Sequence, residues 1–166
     1  VGFLVAAAGR AGLFALPEFT EDNRRLPEGR VRAGRCDLWI ASEDWEINWL
    51  IEFKLGWYGP RARDGLVTPM NAAIKCAFDR DRSEADDRWA CVVYAPGRRW
   101  VDETPAKRKA WRSHAEVERL AESVDIAFEI NGPAGPAHLL MKKIPRGARK
   151  LERYLLAKDL LGPEEE

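Results

Sequence analysis

Two spacings of apolar residues divide the chain. Residues 35–57, RCDLWIASEDWEINWLIEFKLGW, hold two apolar runs on either side of a polar ASED turn. The first, CDLWI, is rich in β-prone residues. The second, WEINWLIEFKLGW, is too apolar at its centre for a surface strand, so the pair predicts a strand followed by a buried strand. Spacing then changes to that of a helix: Met70, Ala73, Ile74, Ala77 and Phe78 share one face of residues 70–87, with Asn71, Lys75 and Arg82 on the polar side. Thr68 and Pro69 suit its N-cap and first position. RWACVVYAP, stopped by Pro96 and Gly97, predicts a central strand. After Pro105, residues 106–124 predict a second amphipathic helix with Trp111, Val117, Leu120 and Val124 inward. DIAFEI and HLLMKKI read as a hairpin about NGPAGPA, and residues 147–161 as a closing helix. At the front, residues 2–16 read as a helix ended by Pro17, or in part as a strand, and residues 17–34 as a loop or an irregular edge hairpin.

The order is therefore helix or strand, then β, β, α, β, α, β, β, α. An α/β domain of one central mixed sheet flanked by helices covers both faces of strands this apolar.

A length of 166 residues with 46% hydrophobic composition suits one folded domain over residues 1–161, followed by an acidic tail at 162–166. The formal net charge is zero, so bulk charge names no partner and only a local patch can attract a polyanion. Cys36, Cys76 and Cys91 are odd in number and lack a CxxC pair, which fits reduced core thiols and a cytoplasmic protein. The two histidines, His114 and His138, have no second histidine or cysteine at ligand spacing, so neither is expected to bind metal. The opening VGFLVAAA is too short to cross a bilayer and lacks a basic flank, so it reads as core helix or strand, with no membrane partner expected. No phosphate-binding G-x-x-x-x-G-K-[ST] loop occurs, which argues against ATP hydrolysis.

Against that background three charges stand out. Asp37, Glu52 and Lys54 lie among Leu, Ile, Phe and Trp, where a charge without a partner costs several kcal/mol of desolvation. Strand alternation puts Glu52 and Lys54 on one face. A hairpin about the SEDWE turn brings Asp37 toward them. Two close carboxylates repel, and a divalent cation with a preference for oxygen, Mg²⁺ or Mn²⁺, resolves the repulsion. Such an ion polarises a phosphodiester and acidifies a bound water, while an adjacent lysine orients that water or offsets developing charge.

Asp37 followed by Glu52-Phe53-Lys54 in an apolar strand, with a helix from residue 69 and the strand RWACVVYA next, resembles the PD-(D/E)xK nuclease superfamily and its restriction-endonuclease-like fold. The likeness covers roughly residues 17–95. It implies metal-dependent cleavage of DNA, with Asp37 and Glu52 as metal ligands and Lys54 as the catalytic lysine. Many members add an acidic residue from the first helix. Glu18 is assigned to that role by its position before the Asp strand, with Glu21 and Glu28 as competitors. Cys36 stands where the pattern has Pro, and the following helix has no Gln of the kind some branches carry; Lys75 takes that general surface. An intact triad also persists in catalytically silent modules that bind DNA or a protein, which is the alternative reading.

Other residues could support a nucleic-acid surface. Arg35 could reach a phosphate or pair with Asp37 or Glu18. Lys107, Arg108 and Arg112, with basic residues at 98–99 and 142–153, could form a rim along the backbone. Trp57, Tyr58, Trp100 or Trp111 could stack on a base, although aromatic side chains more often fill cores. Gly56, Gly59 and Pro60 could shape a loop beside Lys54. Cleaving both strands of a duplex implies two active sites, hence a homodimer or a larger nucleic-acid-processing complex.

Overall fold

The computed structural model describes residues 1–25, 31–59, 65–80, 85–97, 114–132, 135–157 and 160. The protein is α/β. Six strands form one mixed sheet in the order β1-β2-β3-β4-β6-β5, with β1 Phe14–Arg25, β2 Val31–Ala41, β3 Asn48–Tyr58, β4 Asp87–Pro96, β5 Ile126–Gly132 and β6 Gly135–Pro145. The α-helices are α1 Gly2–Arg10, α2 Val67–Asp79 and α3, whose described residues are 114–121. No helix among the described residues is long and apolar enough to cross a membrane.

The chain divides into two compact units. One comprises Val1–Phe53, Ile74–Ala90 and Lys143–Tyr154; the other comprises Lys54–Ala73, Cys91–Lys142 and Leu155–Glu166. In the first unit β1, β2 and the start of β3 run antiparallel, with Leu16 opposite Trp39 and Leu38 opposite Ile51. Cys36, Leu38, Leu50, Ile51, Ile74, Ala77 and Ala90 are buried there. In the second unit β5 and β6 form an antiparallel hairpin, and Tyr58, Met70, Val92, Tyr94, Val117, Leu120 and Leu140 are buried. Asp86 N–H donates to the Asn48 carbonyl at one end of β3, and Gly97 N–H to the Tyr58 carbonyl at the other. Start meets start and end meets end, so β3 and β4 are parallel, joined by the crossover that contains α2.

Several elements differ from the sequence reading, each for a local reason. The first segment splits: α1 stops at Arg10 and β1 begins at Phe14. Among its described side chains only Ala8 is buried, so VGFLVAAA is a helix but contributes little core. Residues 17–25 and 31–34 are strand, extending the hairpin beyond the predicted start at Arg35. Helix α2 ends at Asp79 because the buried Arg88 guanidinium donates to the Phe78 and Arg80 carbonyls, 2.9 Å each, satisfying groups that a longer helix would have bonded. Among its described residues the predicted closing helix is reduced to a 3-10 turn at Leu151–Arg153. Asn71 explains this: its side chain accepts the Leu156 N–H at 2.8 Å and donates to the Leu156 carbonyl at 2.9 Å, taking both backbone groups a helix needs. Residues 106–113 of the second predicted helix lie outside the described residues, and residues 114–121 are helical as expected.

Candidate functional site

Glu18, Asp37 and Glu52 come from three adjacent strands of the first unit. Pro17 pairs with Leu38 and Phe19 with Cys36, so Glu18 falls opposite Asp37. Between β2 and β3 the pairing runs from Ala41–Asn48 to Leu38–Ile51, so Asp37 and Glu52 each lie one residue beyond its last pair. Asp37 Oδ2 accepts the Phe53 N–H at 2.7 Å, tying the carboxylate to the peptide that follows Glu52. Glu18 thus faces Asp37 across β1 and β2, and Asp37 is bonded to the peptide that links Glu52 to Phe53.

Their surroundings differ. Glu18, which has a positive φ of 51°, is well exposed and pairs with Arg35 at 3.1 Å. The assignment of an acidic ligand to the first helix needs correcting: α1, GFLVAAAGR, holds no acidic residue, and Glu18 belongs to β1. Of its competitors, Glu21 occupies β1, while Glu28 lies outside the described residues.

Glu52 is 1% exposed, and Arg80, which follows α2, is 2% exposed. Arg80 Nε and Nη2 both reach Glu52 Oε1 at 2.6 Å, and Nη2 also donates to the Arg35 carbonyl. A buried carboxylate is tolerable because the guanidinium sits directly on it. Arg88 in turn bonds the Arg80 carbonyl, so Arg88, Arg80 and Glu52 form one buried polar chain. Beside it, desolvation, with the Glu52 charge adding, pushes the Cys36 thiol up to about 12, while its Sγ donates to the Leu38 carbonyl at 3.2 Å. The donor chemistry of Asp37 and Glu52, oxygen only, fits a hard cation such as Mg²⁺. One Glu52 oxygen is already engaged by Arg80.

Lys54 is half-buried on β3, two residues beyond Glu52, and belongs to the second unit. Lys75 is exposed on α2. Arg35 is exposed, and its partner is Glu18 rather than Asp37. Lys107, Arg108 and Arg112 lie outside the described residues, as do Trp100, Trp111 and Pro60. Trp57 is 47% exposed, whereas Tyr58 is fully buried, which corrects its assignment as a stacking platform. Gly56 is a strand residue, not part of a loop. A Cβ there would lie 2.5 Å from the Tyr94 ring, so the close approach of β3 to Tyr94 requires glycine.

The sequence reading also missed a second group. His114 and His138, separated in sequence, meet in the second unit with ring centroids 5.1 Å apart, and the Tyr58 ring lies against both at 5.8 and 5.9 Å. Glu129 Oε2 is 3.9 Å from His138 Nδ1, and Glu118 Oε2 is 3.7 Å from His114 Nδ1. Burial, reinforced by His114, holds the His138 pKa below its ordinary value, with Glu129 and Glu118 opposing. The expectation that neither histidine could ligate a metal rested on sequence spacing, and tertiary pairing removes its basis.

Arg80 and Arg88 were missed as buried partners. The available signal was a glutamate inside an apolar strand, which demands a cation from elsewhere in the chain. Comparisons with protein-family models, curated proteins and solved structures return no match.

Proposed function

We propose that the protein is a metal-dependent nuclease acting on DNA, with Asp37 and Glu52 as cation ligands, Glu18 as an auxiliary carboxylate and Lys54 as the catalytic lysine. The observation that carries this reading is the placement of Asp37 on β2 beside Glu52 on the antiparallel β3, with Asp37 anchored on the Phe53 N–H. The element order of helix, three strands, helix and strand, with those four strands adjacent in chain order, supports the restriction-endonuclease-like fold that the Asp and Glu-x-Lys pattern suggests. A divalent cation on these carboxylates would supply positive charge to the scissile phosphodiester and acidify a water. Lys54, on the strand that carries Glu52, would donate to the attacking water or to a phosphate oxygen and offset the charge that develops there. The Phe53 N–H holds Asp37 in place, and Arg35 and Lys75 are exposed cations suited to phosphate oxygens.

The Glu52–Arg80 ion pair favours one competing reading. A carboxylate neutralised by a buried arginine suits a catalytically silent module of the same fold that binds DNA or a protein. Both readings meet the same experiment: purified protein incubated with plasmid, linear duplex and single-stranded DNA in Mg²⁺ or Mn²⁺, beside Lys54→Ala prepared identically. Cleavage that disappears in the variant supports the nuclease. DNA binding without cleavage, equal in both proteins, supports the silent module. Equal cleavage by both identifies a contaminant and removes the case for Lys54.

A further inference from the structure

Glu129 on β5 pairs directly opposite His138 on β6, and His114 opens the described part of α3. One ligating atom from each of the three lies within 4.8 Å of the other two. The 3.9 Å between Glu129 Oε2 and His138 Nδ1 is too long for a hydrogen bond. The His138 side chain is 5% exposed, and its Nε2 has no hydrogen-bond partner among the described residues. A buried polar nitrogen in that state costs about 1–3 kcal/mol, a cost that a ligand removes. Tyr58 walls the two imidazoles, its hydroxyl donating to the Pro136 carbonyl and so turned to the backbone.

We infer that His114, Glu129 and His138 form a binding site for a transition-metal dication, zinc by the chemistry of the donors. Two imidazoles and one carboxylate are a zinc set that leaves a fourth position for water, whereas Mg²⁺ takes oxygen ligands almost exclusively. Zinc bonds of about 2.0–2.1 Å in a tetrahedron separate ligand atoms by about 3.3–3.5 Å, so the observed spacing closes on the ion by small side-chain movements. Glu129, whose side chain is 44% exposed, gives the ion a path from solvent. The site shares no residue with the Asp37 and Glu52 carboxylates and does not depend on the nuclease reading.

The test uses the EDTA-treated full chain carrying Cys76→Ser, because Cys76 is the one half-buried thiol while Cys36 and Cys91 are buried. Co²⁺ binding is followed by its visible absorption, and Zn²⁺ binding by calorimetry and by displacement of Co²⁺. The expected result is one ion per chain, displaced by Zn²⁺ and not by millimolar Mg²⁺. Glu129→Gln and His138→Asn should each weaken binding by about 100-fold or more, since loss of an outer-shell partner alone reaches about 10–100-fold. Zn²⁺ should raise the thermal midpoint of the parent and not that of Glu129→Gln. Should His138→Asn fail to fold, the near-isosteric Glu129→Gln at the rim decides alone. Absence of stoichiometric binding, or binding unchanged in Glu129→Gln, overturns the site.

Discussion

The two units bury ionisable side chains in opposite ways. In the first, Glu52 and Arg80 are both nearly inaccessible and neutralise each other through contacts of 2.6 Å, with Arg88 supporting Arg80 from behind. In the second, His138 is equally buried, but its pKa is depressed and its Nε2 has no hydrogen-bond partner among the described residues. Burial of charge is compensated from within the chain in one case; in the other, burial favours the neutral form and leaves a lone pair or proton without a partner. The contrast separates a buried charge matched by another side chain from a buried imidazole whose Nε2 has no hydrogen-bond partner among the described residues.

The sharpest way to break this comparison is Arg80→Ala. Removing the guanidinium takes from the buried Glu52 the cation that contacts it at 2.6 Å, and stability should fall by about 3–5 kcal/mol in urea unfolding. Replacing both partners by apolar residues, Glu52→Leu with Arg80→Met, should recover most of that loss, because the penalty comes from the buried charge. A small effect of Arg80→Ala alone would mean that Glu52 is hydrated or protonated, and the two units would then differ less than their geometry says.

Gly56→Ala probes the second unit without touching a charge. The added methyl meets the Tyr94 ring at 2.5 Å, and Tyr94 is itself held by its hydroxyl donating to the Leu66 carbonyl. A loss of about 1–3 kcal/mol is expected from overpacking, read by the same urea titration.

Acidification of the metal-free protein sharpens the contrast from the other side. His138 in the unfolded chain takes up a proton near its ordinary value of 6.5, while the folded protein resists because burial and His114 disfavour the cation. Below that pH the unfolded state binds more protons, so stability should decline as pH falls through 6.5 and below. Urea midpoints on either side of that value, in wild type and His138→Asn, measure the difference; the variant should show the shallower decline.

The smallest effect is expected from Glu18→Gln. Its partnership with Arg35 joins side chains that are 62% and 65% exposed, so water and salt screen it, and the change in stability should remain below about 1 kcal/mol. A larger loss would place Glu18 in a network with Asp37.

Much of the fold is legible in the sequence because its signals are local. The apolar run LIEFKL, the helical spacing from Met70 to Phe78, RWACVVYA and the pair DIAFEI and HLLMKKI are each realised as the elements their spacing predicts. Placement of Asp37 beside Glu52 follows from a short hairpin and was equally accessible. The closing helix failed because Asn71, far away in sequence, claims both backbone groups of Leu156. Likewise the length of α2 is set by Arg88 from the next strand.

What the sequence determined by itself, then, is which segments alternate, which coil, and that charges at 37, 52 and 54 required an explanation. Only the tertiary structure decided that Arg80 answers Glu52 and that His114, Glu129 and His138 meet. Local periodicity is written in neighbours a few residues apart. The partner of a buried charge is chosen by strand order and register, which no spacing along the chain encodes.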